Sequence, residues 1–245
     1  MVQPLVLVVV CAAGLLAATA LAVAGESPPL KVCLVSGCGE YKSDESLTAF
    51  KAFLEARRNV ACTQVSGNDK GEGLPGIEAV NSCDVMLLFT RRMTLLEDQL
   101  KIVRAYCRAG RPVVGVRTAS HAFQNWLAFD KEVLGGNYGG HYGAGPKAEV
   151  AFEEKAKDHP VLAGVRPFAS AYSLYKNTGL AADVTLLATA TAAGKTEPVA
   201  WTRLHNGGRV FYTSLGGPDD FRDENFRRML TSALFWAAKR TVEDK

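Results

Sequence analysis

The stretch PVVGVRTASHAFQNW, residues 112–126, decides how this chain is read. It opens as a short apolar strand, turns sharply through Arg117, Thr118, Ala119 and Ser120, and then reads as the start of a helix near His121. An apolar strand that turns through small residues into a helix is the unit of an open α/β sheet. Such sheets bind ligands in the crevice at the carboxyl ends of their strands. In hydrolytic folds of this layout the turn carries a nucleophile. Here it carries Arg117, whose guanidinium stays protonated and cannot attack. The stretch therefore marks a site and argues against covalent chemistry there.

Working outward, residues 30–35 (LKVCLV), 60–65 (VACTQV) and 84–89 (DVMLLF) read as three further strands, with amphipathic helices over 44–57 and 95–108. Ser43 or Asp44 is placed to cap the first helix. Near-continuous apolar strands alternating with amphipathic helices predict parallel strands covered on both faces. The strand-to-helix loops 36–43, 90–94 and 117–121 then share one edge. They bring Glu40, Tyr41, Ser43, Arg91, Arg92, Arg117, Thr118 and His121 near one another. Downstream, a Gly-rich loop at 134–146 leads into strands at 148–152, 184–190, 199–202 and 209–213, several of them antiparallel. His205-Asn206-Gly207-Gly208 reads as a hairpin turn, and residues 224–240 as a closing helix.

With 48% hydrophobic and 22% charged residues, the 245-residue chain has enough apolar material for a sizeable core. A net charge of +3 without a dense Lys/Arg run gives no support for nucleic-acid binding. Residues 5–24 are apolar, no charged side chain precedes Glu26, and Ala22-Val23-Ala24 fits a cleavage site. This predicts a secretory signal peptide over 1–24, a linker over 25–29 and one domain over 30–242, with the product exported to the periplasm or outside. The alternative is an uncleaved membrane anchor, since the run approaches the ~20 residues a span needs; the membrane is a partner only in that case. Cys11 leaves with the leader, and Cys33, Cys38, Cys62, Cys83 and Cys107 remain, in spacings that match neither a zinc site nor a redox motif. Cys38, in the first strand-edge loop, is the one thiol placed to react.

At the turn, the first N–H groups of the expected helix and the Arg117 charge suit a carboxylate, a phosphate, a developing oxyanion or a ring of hydroxyls. The alternative is that Arg117 pairs with Glu40 and only fixes the loop. His121 is a candidate general acid or base, or else packs beside Trp126. The loop GGNYGGHYG (135–143) offers Tyr138, His141 and Tyr142 to stack on and hydrogen-bond a sugar or another small polar ligand, or else is a surface loop pinned by aromatics. The expected catalytic pair is His121 and His141. The expected ligand-binding set is Glu40, Tyr41, Ser43, Arg91, Arg117, Thr118, Tyr138 and Tyr142. No metal site is assigned and no cofactor is implied; His121 and His141 with Glu40 or Asp219 form the one weak set for a divalent cation.

The pieces SGCGEYKSDESL (36–47), GVRTASHAF (115–123), EVLGGNYGGHYG (132–143), HPVLAGV (159–165), SLYKN (173–177), EPVAW, GRVFYTSLGGPDDF and FRRMLTSALFWA occur in this order over nearly all of the domain. In this set the chain resembles the ThuA-like (trehalose-utilisation) family, a branch of the class I glutamine amidotransferase-like superfamily. The resemblance implies an α/β fold, a flavodoxin-like three-layer sandwich with a mostly parallel central sheet plus antiparallel strands in the C-terminal half. It also implies a ligand site at the turn and a carbohydrate or related polar metabolite as ligand. Amidotransferases carry Cys at the turn and a His-x-Glu pair on a late strand. Here those positions read Arg117 and Tyr212-Thr213-Ser214-Leu215-Gly216-Gly217, so glutaminase and cysteine-protease activity are not expected. Many ThuA-like chains have His where Gly217 stands. A non-catalytic sugar-binding module and a partner-binding module remain the alternatives to an enzyme.

Overall fold

Strands that are apolar along their whole length must be covered on both sides, and this requirement organises the molecule. The computed structural model describes residues 1–2, 27–67, 72–143 and 145–244. Its strands are β1 (Leu30–Gly37), β2 (Val60–Ser66), β3 (Val85–Thr90), β4 (Val113–Val116), β5 (Ala148–Phe152), β6 (Ala169–Ser170), β7 (Thr185–Ala192), β8 (Lys195–His205) and β9 (Gly208–Thr213). The helices are α1 (Ser43–Arg57), α2 (Glu97–Arg108) and α3 (Glu224–Ala237). All nine strands join one sheet in the order β2-β1-β3-β4-β9-β8-β7-β5-β6.

The first five strands in that order pair in parallel, and the remainder pair antiparallel. The seam is β9, parallel to β4 on one side and antiparallel to β8 on the other. Its antiparallel partner follows from the predicted hairpin: Asn206 and Gly207 both take positive φ, 49° and 81°, as a tight two-residue turn requires. Alternation along β1 feeds both faces. Leu30, Val32 and Leu34 join α1 and α3 in one buried cluster, while Cys33 and Val35 join α2 in the other.

Three local expectations are corrected. No α-helix follows the turn after β4; Arg117–His121 is a single five-residue 3-10 turn, so it offers no helix terminus to an anion. The chain there is instead tied to the loop after β3, with Arg92 N–H donating to His121 O (2.8 Å) and Met93 N–H to Ala122 O (2.7 Å). Neither Ser43 nor Asp44 caps α1, whose N-cap is Lys42. The closing helix stops at Ala237.

All but the first two residues of the leader expected over 1–24 lie outside the described residues. Among the described residues no helix is long and apolar enough to cross a membrane.

Candidate functional site

Arg117 takes φ +47° at the exit of β4, the left-handed backbone that a strained elbow imposes on a non-glycine residue. That backbone turns its side chain inward, and Arg117 is only 1% exposed. The guanidinium donates to Ser214 O (2.8 Å), to the Tyr41 hydroxyl (3.1 Å), and to Ser173 O and Oγ (both 3.3 Å). It lies over the rings of Tyr41 (4.1 Å), Tyr175 (4.7 Å) and Tyr172 (5.5 Å). Burial opposes its charge, and the Tyr175 and Tyr41 hydroxyls outweigh that, so its pKa stays above the usual arginine value. A buried charge needs hydrogen bonds and a counter-field. Carbonyls and π-faces supply them here, with Asp220 adding a weaker field, and among the described residues no carboxylate forms an ion pair with Arg117. Glu40 pairs instead with Arg91 (2.7 Å) at the rim.

Tyr175 links this cage to the glycine-rich loop. The Tyr138 ring lies 4.8 Å from it, His121 6.0 Å and His141 6.4 Å. His121 itself stacks on Tyr138 at 4.4 Å with planes 19° apart. The loop is held in place by backbone ties to the Tyr175 segment: Gly139 N–H to Lys176 O, Lys176 N–H to Gly140 O, and Tyr142 N–H to Leu174 O, all at 2.9 Å. The structure therefore brings His121, Tyr138 and His141 around one ring, with Arg117 behind it.

Beside the stacked pair opens a cleft of about 610 Å³, lined by Arg92, His121, Trp126, Asp130 and Tyr138 among others. Asp130 is 7% exposed. One of its carboxylate oxygens accepts the Tyr138 N–H (2.9 Å); the other is buried without a hydrogen-bond partner. Gly136 packs so closely on that carboxylate that a Cβ there would collide with it. Burial raises the Asp130 pKa to about 6, against a smaller lowering by the Tyr138 N–H. A carboxyl that titrates near neutrality inside a cleft fits general acid–base work.

His121 is pushed the other way, down to about 3, first by burial and then by Arg92, Arg91, Arg117 and His141. It is a neutral imidazole at physiological pH, and protonating it costs the folded state stability as the pH falls below 6.5. Its ring protons are expected not to titrate in an NMR series from about pH 5 to 8; a midpoint inside that window would refute the buried, cation-flanked placement.

A family model described as ThuA, trehalose utilisation, matches residues 31–237. The chain belongs to the ThuA family. A ThuA-like protein from Parabacteroides merdae is similar in structure, with TM-score 0.68 and 19% identity over 89% of this chain and 92% of that one. One from Bacteroides uniformis gives 0.67 and 17% over 87% and 93%. A β-galactosidase from Bacillus circulans sp. alkalophilus gives 0.60 and 13%, over 86% of this chain and 31% of that one. At these identities the likeness is one of fold. No curated protein sequence matches the chain.

Several expected ligand contacts of this ThuA chain make internal contacts, with Ser43 and Thr118 buried and Tyr41 and Tyr142 partly so. Ser43 is buried, and its hydroxyl receives Gly37 N–H (3.2 Å) and Cys38 N–H (2.8 Å). Thr118 is fully buried. Tyr41 carries Arg117, and Tyr142 sends its hydroxyl to Glu197 (2.8 Å) and packs on the core cluster that holds α1 and α3. Cys38 is buried, and desolvation raises its thiol pKa, which keeps it from acting as a thiolate. The weak cation set is dispersed: Glu40 is held by Arg91, and Asp219 by Arg222 (3.0 Å) and Tyr172 (3.2 Å). Among the described residues no three His, Cys, Asp or Glu side chains gather as metal ligands.

The space beside Gly217 is closed by Tyr172, whose ring occupies the place a Cβ would need. Sequence reading missed Asp130 and Tyr175. The quoted SLYKN segment held Tyr175, but no spacing marked Asp130.

Proposed function

We propose that this ThuA protein binds, and acts on, a carbohydrate or related polyol in the cleft beside the turn, without a covalent intermediate. The observation that carries this is the cleft lined by the stacked His121–Tyr138 pair and by Asp130, a carboxyl with one oxygen buried and unpartnered. Aromatic rings offer apolar faces to a sugar ring, and a few placed polar groups fix its hydroxyls. Arg92 and Arg117, which after burial help depress the His121 pKa, set a positive field that favours a carbonyl or carboxylate on the ligand. Keto-sugars and sugar acids are therefore the preferred class.

Asp130 takes the proton-handling role expected of the histidines. Neutral His121 serves as a hydrogen-bond partner, and His141 sits at the exposed rim. A flavodoxin-like three-layer sandwich is supported by the parallel order β2-β1-β3-β4, and export by the apolar run at 5–24. The burial of the unpartnered Asp130 oxygen favours the second reading, a sugar-binding module without turnover.

A thermal-shift series of the whole chain against sugars, keto-sugars and sugar acids tests the proposal. One of these classes is expected to raise Tm by mass action, and Tyr138→Ala to abolish the shift. A shift undiminished in Tyr138→Ala would place the ligand elsewhere. Product formation from the hits separates enzyme from binder.

A further inference from the structure

A second pocket, of about 550 Å³, lies between α1 and α3 and shares no lining residue with the cleft. Four arginines line it: Arg57 and Arg58 where α1 ends, and Arg227 and Arg228 on α3. Two carboxylates answer them, Glu224 on Arg228 (3.1 Å) and Asp244 on Arg58. Arg57 and Arg227 have no carboxylate partner among the described residues. Both are steadied over the Phe53 ring, at 4.8 and 4.5 Å from its centre. The Nε atoms of Arg58 and Arg227 are buried without a hydrogen-bond partner, a state that folded proteins seldom leave unanswered.

The crowding is felt within the cluster: burial, then Arg228 and Arg57, lower the Arg58 pKa. Holding four guanidinium groups together against two carboxylates leaves a local charge of about +2. Planar guanidinium forks match oxyanions bidentately, and a phosphate monoester carries about −1.5 to −2 at neutral pH. Phe53 and Val242 give an apolar wall for the group attached to the phosphate.

We propose that this pocket binds a small molecule carrying a phosphate monoester, with Arg57 and Arg227 as its contacts and Asp244 as an internal competitor. The site is independent of the carbohydrate cleft. Thermal denaturation of the full chain is followed against inorganic phosphate and glycerol phosphate, at constant ionic strength set with sodium chloride. A saturable rise in Tm is expected, lost in Arg57→Gln/Arg227→Gln. In Asp244→Asn half-saturation should fall to about one-tenth the phosphate concentration, the effect of roughly one charge-assisted contact. No rise, or a rise that never saturates and is equal in all variants, as preferential exclusion of phosphate gives, overturns the proposal. Should the double variant fail to fold, Asp244→Asn decides alone: an unchanged half-saturation overturns it.

Discussion

Arg117→Ala will lower unfolding stability by about 3–5 kcal/mol, the range for emptying a large, fully packed site. The residue sits on a strand-edge turn of the kind that carries the nucleophile in hydrolytic folds of this layout, yet it behaves as a keystone. Its removal leaves Ser214 O and Ser173 O without their donor and leaves the rings of Tyr41, Tyr172 and Tyr175 around a void. Buried acceptors without partners add their own cost. Ser120 and Tyr212 both donate to the Arg117 carbonyl (3.4 and 2.7 Å), so the backbone turn stays anchored while the interior loosens. Arg117→Lys keeps the charge but not the fork, and should lose less than alanine. Urea unfolding curves decide the matter: a loss below about 1 kcal/mol for alanine, with ligand binding abolished, would return Arg117 to the role of a ligand-facing group.

Asp130→Asn should do the reverse, stabilising the fold while removing function. The folded protein holds the Asp130 proton up to about pH 6, against 3.8 for an unstrained aspartate. A carboxyl with a raised folded pKa is a penalty on the ionised native state. The penalty is absent below pH 3.8, grows as the pH rises to about 6 and is constant above it. At about 1.4 kcal/mol per pH unit it reaches roughly 3 kcal/mol. Asparagine keeps an oxygen for the Tyr138 N–H and has no charge to desolvate, so the variant should gain about 1–3 kcal/mol at pH 7. The gap between variant and parent should widen from pH 4 to pH 7. Under the proposed function, turnover of the sugar hit should fall by about 10²–10⁴, the usual weight of a general acid–base group. A variant that is destabilised at every pH, with activity intact, would make Asp130 a structural residue.

These two side chains also show what could be read in the sequence. The elbow was found because a Gly/Ser/Thr turn after an apolar run is a local pattern. So was the glycine-rich loop, with Tyr138 and His141. The side-chain direction of Arg117 was not legible, since it depends on Tyr41, Ser173, Tyr175 and Ser214, which arrive from other parts of the chain. Ser43 and Thr118 look like exposed loop polars in the sequence. The first loop folds its backbone onto the Ser43 hydroxyl, and Thr118, within the turn after β4, is fully buried. Asp130 carried no signal at all: its burial arises only when Gly136 and Tyr138 close over it.

The sequence by itself determined the alternation of apolar strands and amphipathic helices, the hairpin that sets β8 against β9, and the placing of a turn without a nucleophile at the sheet edge. These follow from backbone preference and hydrophobic period, which act over a few residues. Only the tertiary structure decided which charged groups are buried and which carboxylate keeps a buried, unpartnered oxygen. Desolvation and hydrogen-bond satisfaction belong to groups brought together from distant segments, and no local pattern contains them.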